Sequence, residues 1–113
     1  SMKTNIELPG FDTQDALDKF GGDRVLLIKY VSLMIKDLDK RLPLLGSMLN
    51  NHDFENAKIE LHTMRGTASA LSATHLISLC LECEKSCQQK LDQQSLHIYM
   101  ELKCAVDLIR QAI

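Results

Sequence analysis

Apolar residues recur along this chain at steps of three and four, without the alternation a strand requires. The longest stripe is Leu27, Val31, Met34, Leu38, Leu42, Leu45 and Leu49. A second runs Phe54, Ala57, Leu61, Met64, Ala68 and Leu71. A third is Leu76, Cys80, Cys83 and Cys87, and a fourth is Tyr99, Leu102, Val106, Ile109 and Ile113. That spacing puts each set on one face of a helix, facing inward. Ala16, Leu17 and Phe20 mark a shorter helix ahead of the four.

The polar residues between the stripes read as helix ends. Asp12 or Thr13 caps the short helix and Gly21-Gly22 ends it; Asp23 caps the first long helix. The turn "NNHD" (50–53) leads to Asp53 as the next cap, Ser72 caps a fourth helix, and Asp92 caps the last. Pro43 falls inside the longest stripe, where a proline removes one hydrogen bond and costs about 3 kcal/mol, so a kink is expected between Asp39 and Leu42. Residues 3–11, including "ELPGF" (7–11), read as an extended lead-in, and Ser1-Met2 as an expression scar. Four long amphipathic helices with short connections predict an all-α protein. Its expected form is an antiparallel up-and-down four-helix bundle, with the short extra N-terminal helix across one end.

Composition narrows what such a bundle does. A chain of 113 residues suits a single domain. A net charge of −2 supplies no basic stripe for nucleic acid or anionic lipid. No apolar run approaches the ~20 residues of a membrane span, and no segment reads as a signal peptide. Membrane contact and nucleic-acid binding are therefore not expected. Cys80, Cys83 and Cys87 share the inward face of one helix, with Cys104 able to face them from the next. A metal- or redox-binding bundle would use them, and would show as stoichiometric zinc or a colour. Their face is apolar, however, and zinc sites favour turns between ligand pairs, so they read as reduced packing residues in a cytoplasmic compartment. Met34, Met48, Met64 and Met100 read as core or near-core filler, and His52, His75 and His97 as ordinary residues.

His62 stands apart from those three. With the centre of the second stripe taken as inward, about 100° per residue points His62 about 130° from the core and Gly66 about 170°. Thr63, Ser69 and Ala70 fall in the same outward half, so a helix face is stripped of long side chains around one imidazole. Lys58 and Arg65 flank it at about 70–90° from the core. Mid-helix glycine costs about 1 kcal/mol against alanine, and Gly66 relieves no core crowding here. The combination describes a docking surface for a negatively charged, transferable group.

The stretch "HTMRGTASAL" (62–71) resembles the signature of the histidine-containing phosphotransfer (HPt) domain: His, two residues, Lys or Arg, then Gly and a run of small residues. The lead-in "LPGFDTQDALDKFGGDRVLLIKYV" is similar to the N-terminal part of that family, and the resemblance spans about Leu8 to Ile113. It implies that His62 accepts a phosphoryl group from an aspartyl phosphate on a response-regulator receiver domain and passes it to another receiver. It further implies that Arg65 helps hold the group, with Lys58 a weaker candidate. Gly66 is implied to keep the site open. Thr63, Gly66, Ser69 and Ala70 are then the docking surface. Ser69 and Ser72 depart from frequent glycines of the family, which bears on the docking surface and the helix end more than on the chemistry. An imidazole with an ordinary pKa near ~6.5 is mostly neutral, hence nucleophilic, at neutral pH.

No acidic cluster for a metal, no Gly-rich nucleotide loop and no carboxylate three or four residues from His62 is present in the sequence. The expectation is therefore a carrier without catalysis or cofactor of its own, magnesium belonging to the receiver. It is expected to be a monomer, free-standing or part of a hybrid sensor kinase. The competing reading is a module that docks a receiver or another helical partner without being phosphorylated.

Overall fold

The computed structural model describes residues 7–113. Ser1-Met2, read as a scar, and the first part of the lead-in, 3–6, lie outside the described residues. Five helices follow in order: α1 (Thr13–Lys19), α2 (Arg24–Asn50), α3 (Phe54–Ala70), α4 (Thr74–Gln88) and α5 (Asp92–Ala112). Helix α3 packs on α2 and α4, and α5 on α4 and α2, which closes a four-membered ring; α1 rests on α2. With three-residue turns joining successive long helices, neighbours run antiparallel, as the stripes predict.

The four stripes meet in one core. Leu27, Leu45, Leu49, Leu61, Leu102 and Ile109 are its largest fully buried side chains. Ion pairs join the helices at the rim: Arg41 reaches Glu60 from α2 to α3 at 2.9 Å, and Arg110 reaches Asp39 from α5 to α2 at 2.8 Å. Asp12, Asp23 and Asp53 each cap a helix as expected, accepting from the backbone N–H of Asp15, Leu26 and Asn56. Pro43 is exposed and α2 runs through it without ending, so its ring lies away from the core.

Two caps differ from expectation. Ser72 adopts φ 56° as the left-handed residue that ends α3, while α4 begins after Ala73 with no side-chain cap. Its place is taken by the described part of the lead-in, 7–11, which turns at 9–11 where an extended run is expected. Gly10 at φ 77° aims its carbonyl at the first turn of α4, accepting from His75 N–H at 2.9 Å and from the Thr74 hydroxyl at 3.3 Å. Leu8 is buried beside it. Likewise α5 is capped by Leu91, and Asp92 is its first helical residue, 3.2 Å from His52 Nε2. On α5 the inward stripe is wider toward the middle and shorter at the end than predicted. Ser95, Ile98 and Ala105 are buried, Tyr99 is half-buried, and Ile113 is exposed because the helix ends there. Met100 and Cys104 also lie outside the core. They fall on the solvent side of α5, one residue out of phase with Tyr99 and one turn apart.

Candidate functional site: the outer face of α3

Helix α3 turns Ala57, Leu61, Met64 and Ala68 into the bundle, which leaves the residues between them outside. Ile59 is 65% exposed, and His62, Thr63, Gly66, Ser69 and Ala70 are all exposed with it. A Cβ built on Gly66 would meet nothing within 4 Å. The hydroxyls of Thr63 and Thr67 bond back to the carbonyls of Ile59 and Thr63 at 3.2 and 3.4 Å. Both hydroxyl protons are thereby taken up by carbonyls of their own helix.

Two open depressions border α3, one of them at the imidazole. One, of about 420 Å³, is lined by Glu55, Lys58, Ile59, His62 and Thr63. The other, of about 400 Å³, lies between α2 and α3, with Tyr30, Leu33, Thr67 and Ala70 among its walls. Tyr30 and Leu33 are 45% and 48% exposed, and neither stood out in the sequence.

The charged flanks behave differently from each other. Arg65 turns toward the histidine, its Nη2 lying 2.8 Å from His62 Nδ1. The same guanidinium is gripped by Glu84 of α4, with Nε 2.7 Å from Oε2 and Nη2 3.3 Å from Oε1. That hydrogen bond to Glu84, against some desolvation, raises the Arg65 pKa above its ordinary value. Lys58 lines the depression beside His62, but its ammonium donates to Gln88 at 2.6 Å and pairs with Glu55 at 2.9 Å. Glu84 and Gln88 are the site neighbours that inspection of α3 alone misses. The signal that could have found them is the short turn at 71–73: in an antiparallel hairpin, each step back along α3 meets a step forward along α4.

Ser69 and Ser72 bind the end of α3 to α1. Lys19 donates to the Ser69 carbonyl at 3.0 Å, and the Ser72 hydroxyl donates to the Asp15 carboxylate. The second bond lowers the Asp15 pKa and holds Ser72 in its left-handed backbone, which glycine adopts without a partner. Away from the site, Cys80, Cys83 and Cys87 are buried and Cys104 is exposed, so the fourth thiol does not face the other three. Burial pushes the Cys80 thiol up to about 12. No group of three or more metal-ligating side chains is assembled among the described residues, and no described helix is long and apolar enough to cross a membrane.

The family model of the Hpt domain matches residues 29–112, from within α2 to the end of α5. The chain belongs to the Hpt domain family. No curated protein and no solved structure matches it. Hpt domains are helical bundles that carry phosphoryl groups on histidine in two-component signalling and interact with receiver domains; as a rule they are carriers and not catalysts. The lead-in and α1 precede the matched residues, so the contacts they make with α3 and α4 are features of this Hpt chain that the family match does not describe.

Proposed function

We propose that this chain is a phosphorelay carrier in which His62 takes a phosphoryl group from an aspartyl phosphate on one receiver and yields it to another. The observation that carries the reading is an exposed imidazole on a bared helix face. A basic group lies 2.8 Å from one ring nitrogen, and there is open space over Gly66 one turn away. Phosphoryl transfer asks chiefly for alignment and charge compensation. The receiver contributes most of both, including the magnesium, and this chain needs no cofactor.

Thr63, Gly66, Ser69 and Ala70 form the docking surface. Ile59 and the Tyr30–Leu33 side of the neighbouring groove supply its apolar contacts. Arg65 is the supporting cation; Lys58, already bonded to Glu55 and Gln88, plays at most a lesser part. The domain works as a monomer at the cytoplasmic side of the signalling chain, alone or within a hybrid sensor kinase.

The test is phosphotransfer from phosphorylated receiver domains of the same cell. The chain acquires an acid-labile, base-stable phosphate, and His62→Gln abolishes it while circular dichroism stays unchanged. Labelling that persists in His62→Gln refutes the assignment. Binding without labelling leaves a docking module in its place. Arg65→Ala slows transfer or shortens the life of the phosphohistidine severalfold, the scale of an ion pair near the surface, worth about 0–1 kcal/mol.

A further inference from the structure

A guanidinium carries five N–H donors and no acceptor. The 2.8 Å contact between Arg65 Nη2 and His62 Nδ1 therefore has one chemical reading, in which the ring nitrogen accepts. A neutral imidazole whose Nδ1 offers a lone pair bears its single proton on Nε2. Nε2 is also the ring nitrogen with no protein partner among the described residues. The resting site thus places the lone pair under Arg65 and the proton on the nitrogen left open to a donor. An imidazole in that state is not a nucleophile at Nε2.

Arg65 does not hold this position by itself. Its Nε and Nη2 are gripped by the two carboxylate oxygens of Glu84 at 2.7 and 3.3 Å, and both side chains are mostly covered, at 29% and 19% exposure. The grip orients the remaining Nη2 hydrogen toward the histidine. Resting on His62 as the acceptor, we infer that Arg65, positioned by Glu84, locks the unphosphorylated imidazole in its Nε2–H tautomer and releases it when an incoming phosphoryl anion draws the guanidinium away. Arrival of the correct charge and activation of the nucleophile become one event.

The anionic phosphoryl group of a receiver acyl phosphate attracts the guanidinium off Nδ1, and water at the exposed ring moves the proton from Nε2 to Nδ1. The Nε2 lone pair forms the N–P bond as the P–O bond to the receiver carboxylate breaks, its electron pair leaving on that carboxylate oxygen. Nδ1 keeps its proton, which gives a phosphorylated imidazolium with Arg65 beside the transferred anion. Arg65 contacts the reacting ring directly, and Glu84 acts through Arg65 as a positioning residue.

Nitrogen-15 spectra of the imidazole rings, recorded where His62 is neutral, report the tautomer without any reaction. In the wild-type chain His62 shows the proton on Nε2. In Arg65→Ala the ratio of Nε2–H to Nδ1–H falls by about tenfold, the bias of one charge-assisted hydrogen bond. Glu84→Gln falls in the same direction by less, and exposed His97 is unchanged in all three. Diethyl pyrocarbonate, an uncharged acylating reagent, modifies His62 severalfold faster in Arg65→Ala than in wild type. A wild-type ring of mixed tautomers overturns the inference, and so does a Glu84→Gln spectrum identical to wild type or an equal acylation rate. Phosphoramidate, a small anionic donor, addresses the acceptor separately: a wild-type His62 that it never labels overturns the carrier reading, while the spectra still decide the lock.

Discussion

Two glycines sit in the middle of long helices in this protein, and the same substitution at each is expected to move stability in opposite directions. At Gly66 the new methyl group of Gly66→Ala meets nothing within 4 Å, so only the backbone effect remains. Alanine is better than glycine in a helix interior by about 1 kcal/mol, and the variant is stabilised by up to that amount. At Gly46 the methyl would lie 2.6 Å from the Tyr99 hydroxyl and 2.8 and 3.2 Å from two ring carbons. Forced overpacking costs about 1–3 kcal/mol, which offsets the helix gain of about 1 kcal/mol and leaves Gly46→Ala destabilised by about 0–2 kcal/mol. Denaturant unfolding of both variants measures the pair of signs, and thermal midpoints separate by several degrees. The function splits the other way. Gly66→Gln folds well, yet its side chain occupies the space one turn from His62 and blocks transfer from a phosphorylated receiver. A destabilised Gly66→Ala, or a Gly66→Gln chain with full transfer activity, refutes the claim that Gly66 is there to clear a path.

Two further expectations rest on positions the lead-in and α4 define. Gly10 combines φ 77° with a Cβ position 2.9 Å from His75 Cβ, so Gly10→Ala loses at least the ~1–2 kcal/mol of a left-handed backbone and loosens the start of α4. Hydrogen exchange at the His75 amide, which bonds the Gly10 carbonyl, shows this directly; an unchanged rate contradicts the capping role. In the native chain a thiol reagent modifies one cysteine quickly, Cys104, and three slowly, because Cys80, Cys83 and Cys87 are buried. Rapid modification of more than one thiol in folded protein disproves that packing.

What could be read from the sequence was whatever depends on one helix at a time. Helical periodicity fixes which side of α3 faces the core whatever the partner, so the stripe Ala57, Leu61, Met64 and Ala68, and the exposure of His62 and Gly66 opposite it, needed no tertiary knowledge. Local capping chemistry was legible for the same reason at Asp12, Asp23 and Asp53, each of which satisfies an amide three residues on. Ser72 departs from the cap its position predicts because capping is only a demand for an acceptor, and α4 has that demand met by the Gly10 carbonyl from a distant part of the chain. A serine before a helix is then free to do something else. Here it ends α3 in a left-handed turn and bonds Asp15.

The same limit explains why the chemistry of the site was only half visible. On α3 alone, Arg65 is a cation one turn from a histidine, and its expected role is to wait for phosphate. The turn at 71–73 brings Glu84 against it, and the guanidinium is held by a carboxylate before any phosphate arrives. Since a guanidinium can only donate, the contact it makes with His62 decides where the imidazole keeps its proton. On the proposed reading, a residue of α4 that never touches the phosphoryl group acts on the nucleophile of α3. The readiness of this Hpt domain to react is then a property of the hairpin and not of the motif.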